Sequence, residues 1–377
     1  MAARMTWATL RELAGFRTEK GCAISLYLNL DPSEVPTPGD AQTRMNALLA
    51  EAEKTDRSQL AHDARQGLKQ DFERIARWFD DEFEREGLQG LAIFAAGLDN
   101  FWSILELPAA VPDNVRVNRD FYVAPLVPLV ARSDGTLVAV VGREQGTLYR
   151  LRAGRLEEIA DESDEVPGHH DQGGWSQARY QRHIDKLVQE HLKGVADELE
   201  RSRQRMQAPR IVLVAAEDMR SEFMDTLSNE AREAVVGAVA AEAHASPAEL
   251  LETVTPVLTQ AEAKDEADTL ARWREEAGRN ARAASGWADT LEAASDGRVE
   301  VLLFREGSDR AAHRCPACGR ASLDGGSCPL DGTTLEPVDA GLDLAVHQTL
   351  AHGGVVRAIR HQEDLGPVDG LAALLRY

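Results

Sequence analysis

Short, unbroken apolar runs alternate along this chain with longer stretches in which apolar residues recur every third or fourth position, as strands and helices sharing a sheet require. Residues 22–30 (CAISLYLNL) read as a strand that Asp31-Pro32 stops. Phe72, Ile75, Ala76, Phe79 and Phe83 fall at helical spacing and lay one apolar face on a sheet. Residues 91–95 (LAIFA) form a short buried strand, and Pro125 and Pro128 close this first segment. Strands over 137–141 and 147–151, joined by a turn at Gly146, open a second segment. An acidic stretch over 157–165, expected to lack regular structure, precedes a long helix over about 176–206. Residues 211–215 (IVLVA) are continuously apolar, the character of a parallel strand. Ser246-Pro247-Ala248-Glu249 is a capping box with Pro at the first helical position. From about 262 the pattern gives an Ala-, Glu- and Arg-rich helix, a helix ending at Gly297 and a strand over 299–304. An insertion over 313–335 separates that strand from a last helix and a strand near 355–359. No internal repeat is visible, and the pattern predicts an α/β protein of three modules, 1–127, 128–258 and 259–377.

The length of 377 residues exceeds what one hydrophobic core usually serves, which agrees with several modules. A formal charge of −21 argues against a protein held on DNA or RNA by bulk charge, so any contact with phosphate must be local. No stretch approaches membrane-spanning length and no early apolar run suits a signal peptide, so a cytoplasmic protein without membrane contact is expected.

One local site stands out. Residues 166–180 (VPGHHDQGGWSQARY) read as a glycine-tipped loop feeding a basic helix. Gly173 and Gly174 allow backbone conformations closed to other residues. By itself such a pair is an ordinary turn. Here Arg179, Arg182 and Lys186 share a helix face beside it and Trp175 sits at its tip, so cations for phosphate stand next to an indole that can stack on a base. The consecutive His169, His170 and Asp171 lack a partner at metal-ligand spacing and read as polar loop.

Three of the four cysteines lie within 315–328. Cys315-Pro316-Ala317-Cys318-Gly319 has the form of a zinc knuckle, and Cys328-Pro329-Leu330-Asp331-Gly332 repeats it with Asp in the last ligand slot. Cys315, Cys318, Cys328 and Asp331 could close a structural zinc site, with His313 as the rival fourth ligand. Cys22, alone in an apolar run, reads as an inert thiol.

The loop resembles the tip of the middle domain in archaeal and eukaryotic class I peptide chain release factors and their relative Pelota, where a His stands three residues before Gly-Gly-Gln, followed by Ser, two small or apolar residues, Arg and an aromatic. His170, Gly173, Gly174, Ser176, Arg179 and Tyr180 fall in register, and Trp175 stands where that family carries its catalytic Gln. Residues 368–377 (VDGLAALLRY) resemble the ending of the family's third domain, and the first segment is similar more loosely through 24–28 and 90–94. The resemblance implies a three-domain release-factor-like architecture, with a kink-turn-protein-like third domain that carries a zinc-ribbon-like insertion and meets a translational GTPase.

Two departures shape the expected function. Residues 39–46 (GDAQTRMN) lack the Asn-Ile-Lys-Ser motif of stop-codon readers, and an indole offers one donor and no acceptor where the Gln orients water. The resemblance therefore points to the bacterial branch, including Balon-like hibernation factors that act with elongation factor Tu. A non-catalytic factor occupying the ribosomal A site against rRNA is expected. The alternatives are a codon-independent peptidyl-tRNA hydrolase for ribosome rescue using Gln177, and an RNA-binding adaptor unrelated to the ribosome.

Overall fold

A computed structural model describes residues 5–54, 60–85, 88–133, 135–152, 154–162, 177–206, 209–240, 245–361 and 365–377, without the side chains of 131–133 and 177–181. The chain groups into two compact units, one formed by 1–131 with 266–377 and the other by 132–265. The first and last segments drawn from the sequence thus belong to one unit and the middle segment to the other.

The first segment holds α1 (Trp7–Gly15), β1 (Ala23–Asn29), α2 (Pro38–Lys54), α3 (His62–Asp81), β2 (Gly90–Ala96), β3 (Phe101–Leu107), β4 (Asn114–Asn118) and α4 (Val127–Ser133). Its strands form an antiparallel sheet in the order β3-β2-β1-β4. One face carries Ile24, Leu26, Leu28, Ile93 and Ile104 against α2 and α3, where Met45, Phe72, Ile75 and Phe79 supply the helical side. The residues 39–46 that lack the stop-codon motif belong to α2. Its acidic Asp40 takes both the amide (3.0 Å) and hydroxyl (2.7 Å) of Thr37, a capping arrangement at the helix start.

The middle unit holds β5 (Thr136–Val141), β6 (Gly146–Arg152), β7 (Arg155–Asp161), α5 (Gln177–Gln204), β8 (Arg210–Val214), α6 (Glu217–Thr226), α7 (Asn229–Ala234), β9 (Val235–Val239) and the beginning of α8 (Pro247–Gly278). The sheet order is β7-β6-β5-β8-β9, with β5, β8 and β9 parallel. Alternate residues of β5 and β8 therefore face opposite ways: Leu137, Ala139, Ile211 and Leu213 meet α5 and α6, whereas Val138, Val140, Val212 and Val214 meet Leu250, Val254 and Leu258 of α8. This explains why both strands read as unbroken apolar runs. Gly146 is more than a turn residue, because a Cβ there would come within 2.3 Å of Val195 on α5.

The expectation that residues 157–165 lack regular structure is corrected over its first part. Glu157, Glu158 and Asp161 lie in β7, paired with Arg150, Tyr149 and Thr147 of β6. An edge strand leaves one side to water, so carboxylates are tolerated where backbone pairing supplies the stability. The capping box is present as read: Ser246 Oγ accepts from Glu249 N at 3.4 Å and Glu249 Oε2 accepts from Ser246 N at 2.8 Å.

The last segment adds β10 (Ala283–Ser285), α9 (Trp287–Ser295), β11 (Val299–Arg305), β12 (Ala312–Arg314), β13 (Ala321–Ser322), β14 (Glu336–Val338), α10 (Gly341–Ala351), β15 (Val355–Ile359) and β16 (Leu371–Leu375). Its main sheet runs β10-β16-β11-β15, with Leu303, Ile359, Ala372 and Leu374 against Leu270 and Trp273 of α8. The other face joins α9 and α10 in one core with α1, Tyr27, Phe94 and Phe121 of the first segment. The chain ending has a structural use: Arg376 donates to His352 O at 2.7 Å and to Gly297 O at 3.3 Å, satisfying carbonyls just past α10 and α9. No helix among the described residues is long and apolar enough to cross a membrane.

Polar contacts join the same two segments. Val123 N and Ala124 N donate to Asp343 Oδ1 at 2.8 and 3.0 Å, while both ring nitrogens of His347 face carbonyl oxygens, Ala14 O and Phe121 O, each at 2.8 Å. A ring facing two acceptors satisfies both only when doubly protonated. Burial works against that cation, but Asp343 Oδ2 at 3.4 Å and the Phe121 carbonyl outweigh it and push the His347 pKa up to about 9. A folded-state pKa above the unfolded value of about 6.5 gives a stability contribution that is full below that pH and lost as pH rises through the folded value. Urea unfolding of this unit should therefore show a loss on the order of 3 kcal/mol between pH 6 and pH 10 attributable to His347. The loss should be absent in His347→Gln; an equal loss in that variant would contradict the assignment.

Candidate functional site

The small sheet of β12, β13 and β14 presents two loops of one construction. In the first, Cys315 N donates to Arg320 O and Gly319 N to Cys315 O, both at 2.9 Å. In the second, Cys328 N donates to Thr333 O at 2.7 Å and Gly332 N to Cys328 O at 2.9 Å. Gly319 and Gly332 close the loops at φ +80° and +75°, a region that side-chain-bearing residues rarely adopt. The repeated Cys-Pro-x-x-Gly pattern is thus a repeated backbone turn that aims two ligand slots at one point.

That point is well defined. One donor atom from each of Cys315, Cys318, Cys328 and Asp331 lies within 4.8 Å of every other. Cys318 Sγ stands 3.5 Å from Cys328 Sγ, and Cys315 Sγ lies 3.4 Å from Asp331 Oδ2. A tetrahedral ion with bonds of about 2.0 to 2.3 Å sets its ligands about 3.3 to 3.8 Å apart, the spacing of these two pairs, so the four residues could hold one metal ion. The Thr333 amide at 2.9 Å from Asp331 Oδ1, aided by the Thr333 hydroxyl, holds the Asp331 carboxyl well below the usual carboxylate range. His313, the rival fourth ligand, is not in this cluster. It lies on β12 opposite Ser322 and Pro337, with Nδ1 3.2 Å from Leu323 O. Asp331, three residues after Cys328 as Cys318 is three after Cys315, fits the ligand geometry, whereas a position two residues before Cys315 on the strand does not.

The second site is reached only in part. His170, Gly173, Gly174, Trp175 and Ser176 lie outside the described residues, as do the side chains of Gln177 and Arg179. Gln177 is the first residue of α5. This helix is fixed by Ile184, Val188, Leu192, Val195 and Leu199, all buried against the sheet. At its far end Glu200 accepts from Arg203 (2.6 and 2.8 Å), Gln204 (2.8 Å) and Ser228 (3.1 Å). Arg182 and Lys186 are exposed. Lys186 Nζ, however, lies 3.3 Å from Glu190 Oε1, so the stripe carries less free positive charge than the sequence spacing suggests.

Sequence reasoning missed Asp343, His347, Asp120 and Arg314. Asp343 and His347 stand four apart on α10, a spacing that could have flagged the pair, but their partners in the first segment, 219 or more residues away, leave no local signal. Cys22 is half-buried beside the first sheet, consistent with a packing thiol.

Residues 122–258 match the model of Bacterial archaeo-eukaryotic release factor family 10. The chain is 23% identical over 338 residues to Peptide chain release factor subunit 1 of Archaeoglobus fulgidus, covering 85% of this chain and 81% of that one. It is 26% identical over 253 residues to the protein of that name from Thermococcus onnurineus, covering 62% of this chain and 61% of the relative. A crystal structure of an archaeal translation termination factor aligns over 99% of this chain and 98% of its own at 17% identity, with a TM-score of 0.27.

Proposed function

We propose that this chain, which belongs to the archaeo-eukaryotic release factor family, is a ribosome-binding factor that occupies the A site and carries residues 170–177 toward the peptidyl-transferase centre. The observation that supports it most is the family match over residues 122–258, nearly all of the unit that carries α5 and the loop before it. At the tip stands Trp175, where the release factors place Gln. An indole cannot accept a hydrogen bond from water, so the protein binds without releasing peptide and silences or protects idle ribosomes, as a hibernation factor in stressed cells does. Arg179, Arg182 and Lys186 supply local contacts to rRNA phosphate that an otherwise acidic protein lacks. Elongation factor Tu or a related translational GTPase is the partner we assign, in the cytoplasm.

Zinc is the metal we assign to Cys315, Cys318, Cys328 and Asp331. Three thiolates and one carboxylate in tetrahedral spacing suit it, and with four protein ligands its role is structural. Our sequence division into 1–127, 128–258 and 259–377 is retained as the functional division.

If Trp175 stacks on a base, Trp175→Ala should weaken binding to vacant ribosomes by about 1 to 3 kcal/mol, read by sedimentation across a protein titration. Binding unchanged by the substitution would remove the indole from the contact. A second reading is favoured by the name of the curated relatives, peptide chain release factors. In it Gln177, at the start of α5, positions water for hydrolysis of peptidyl-tRNA, and Gln177→Ala abolishes release while sparing binding.

A further inference from the structure

We infer that the metal-holding insertion is a brace: it fastens the chain around Asp120 to the C-terminal helices, so that metal occupancy governs how firmly the first and last segments of their shared unit hold together. This rests on the metal assignment above.

The attachments all spring from residues beside the ligands. Arg314, next to Cys315, forms an ion pair with Asp120 in which the two side chains are only 14% and 19% exposed. Asp120 is itself bridged to Arg17 through the backbone, and Thr18 N donates to Arg119 O at 2.8 Å. Gly319, next to Cys318, accepts at its carbonyl from Gln348 Nε2 of α10 at 2.8 Å. Arg320 reaches Asp296 at 2.5 Å and Glu292 at 3.7 Å, at the end of α9, and Ala321 N donates to Ser295 Oγ at 2.9 Å. One short loop thereby touches α9, α10 and the first segment.

Ala312 and Ala321 anchor the base of the insertion in the unit's main core and β12 pairs with β13 and β14, but the loops that carry the ligands have little of their own to hold their shape. Their own apolar cluster consists of Cys315, Cys328 and Leu335, two of which are metal ligands. So small a core cannot order a loop of this length, and small domains of this kind depend on a metal for it. The ion therefore adds to the pairing of β12 in holding Arg314, Gly319 and Arg320 where they point. Residues 120–124 are gripped at both ends by the last segment, Asp120 by Arg314 and Phe121, Val123 and Ala124 by His347 and Asp343. Loss of the metal removes one end of that grip.

Hydrogen–deuterium exchange on the full chain, zinc-loaded and chelator-stripped, with metal content measured in each sample, tests this. Stripping should speed exchange by about tenfold or more not only in 312–338 but also in 117–124 and 292–298, leaving α2 and α3 unchanged. Arg314→Ala should keep its zinc and speed exchange in 117–124 alone. Faster exchange confined to 312–338 on stripping, or an unchanged 117–124 in Arg314→Ala, would overturn the brace while leaving the zinc assignment intact. Absence of bound zinc in the unstripped protein would instead overturn the metal assignment, and metal control of the joint with it.

Discussion

Asp343→Ala should destabilise the unit formed by 1–131 and 266–377 by about 3 to 5 kcal/mol, the range expected when one partner of a buried charged pair is removed. The substitution strands two things at once. Val123 N and Ala124 N lose their acceptor, and His347 keeps two carbonyl partners that ask for a cation while losing the carboxylate that most favours it. Equilibrium urea unfolding at pH 6 is the measurement. A change below about 1 kcal/mol would mean that this network contributes no more than a surface ion pair. Because the network joins the start of the chain to α10, the variant should also bring forward the unfolding of β1 and α10 together.

Cys315→Ser should have the largest effect on metal. The purified protein is expected to hold about one zinc per chain, and replacing a thiolate by a neutral hydroxyl removes a strong ligand from a closed four-ligand set, so elemental analysis should find it largely zinc-free. Asp331→Cys, which completes a four-cysteine set, should retain zinc and resist chelators longer than the wild type, since thiolate is the stronger zinc ligand here. His313→Ala should leave the zinc content unchanged, because His313 sits apart from the donor atoms. Loss of zinc in His313→Ala with retention in Asp331→Ala would reverse the assignment of the fourth ligand.

How much of this the sequence disclosed follows from the range of the forces involved. The apolar runs at 22–30, 91–95 and 211–215 are strands in the structure because each is buried on both faces, a property written into consecutive residues. The knuckle was legible for a similar reason: Cys-Pro-x-x-Gly encodes a turn within five residues, and its repetition disclosed the second half of the site. Choosing between Asp331 and His313 was not possible from spacing alone, because the pairing of β12 with β13 and β14 decides which side chain faces the sulfurs. The β7 strand escaped notice because its stability lies in hydrogen bonds to β6 and not in its own acidic residues. The long helix α2, marked in sequence by little more than Pro38 and a weak apolar stripe, is held by the sheet under it. Asp120 with Arg314, and Asp343 with Val123, stand about 200 residues apart, and no local pattern anticipates such pairs.

The central claim is that the protein binds the ribosome without releasing peptide, and one measurement tests it most directly. Ribosomes carrying labelled peptidyl-tRNA are mixed with the full chain at saturating concentration, and co-sedimentation and freed peptide are read from the same sample. The account predicts that the protein sediments with the ribosomes while the peptide stays on its tRNA. Release by the wild type that disappears in Gln177→Ala would contradict it and establish a hydrolase, and failure to sediment with ribosomes at all would remove the ribosome from the account.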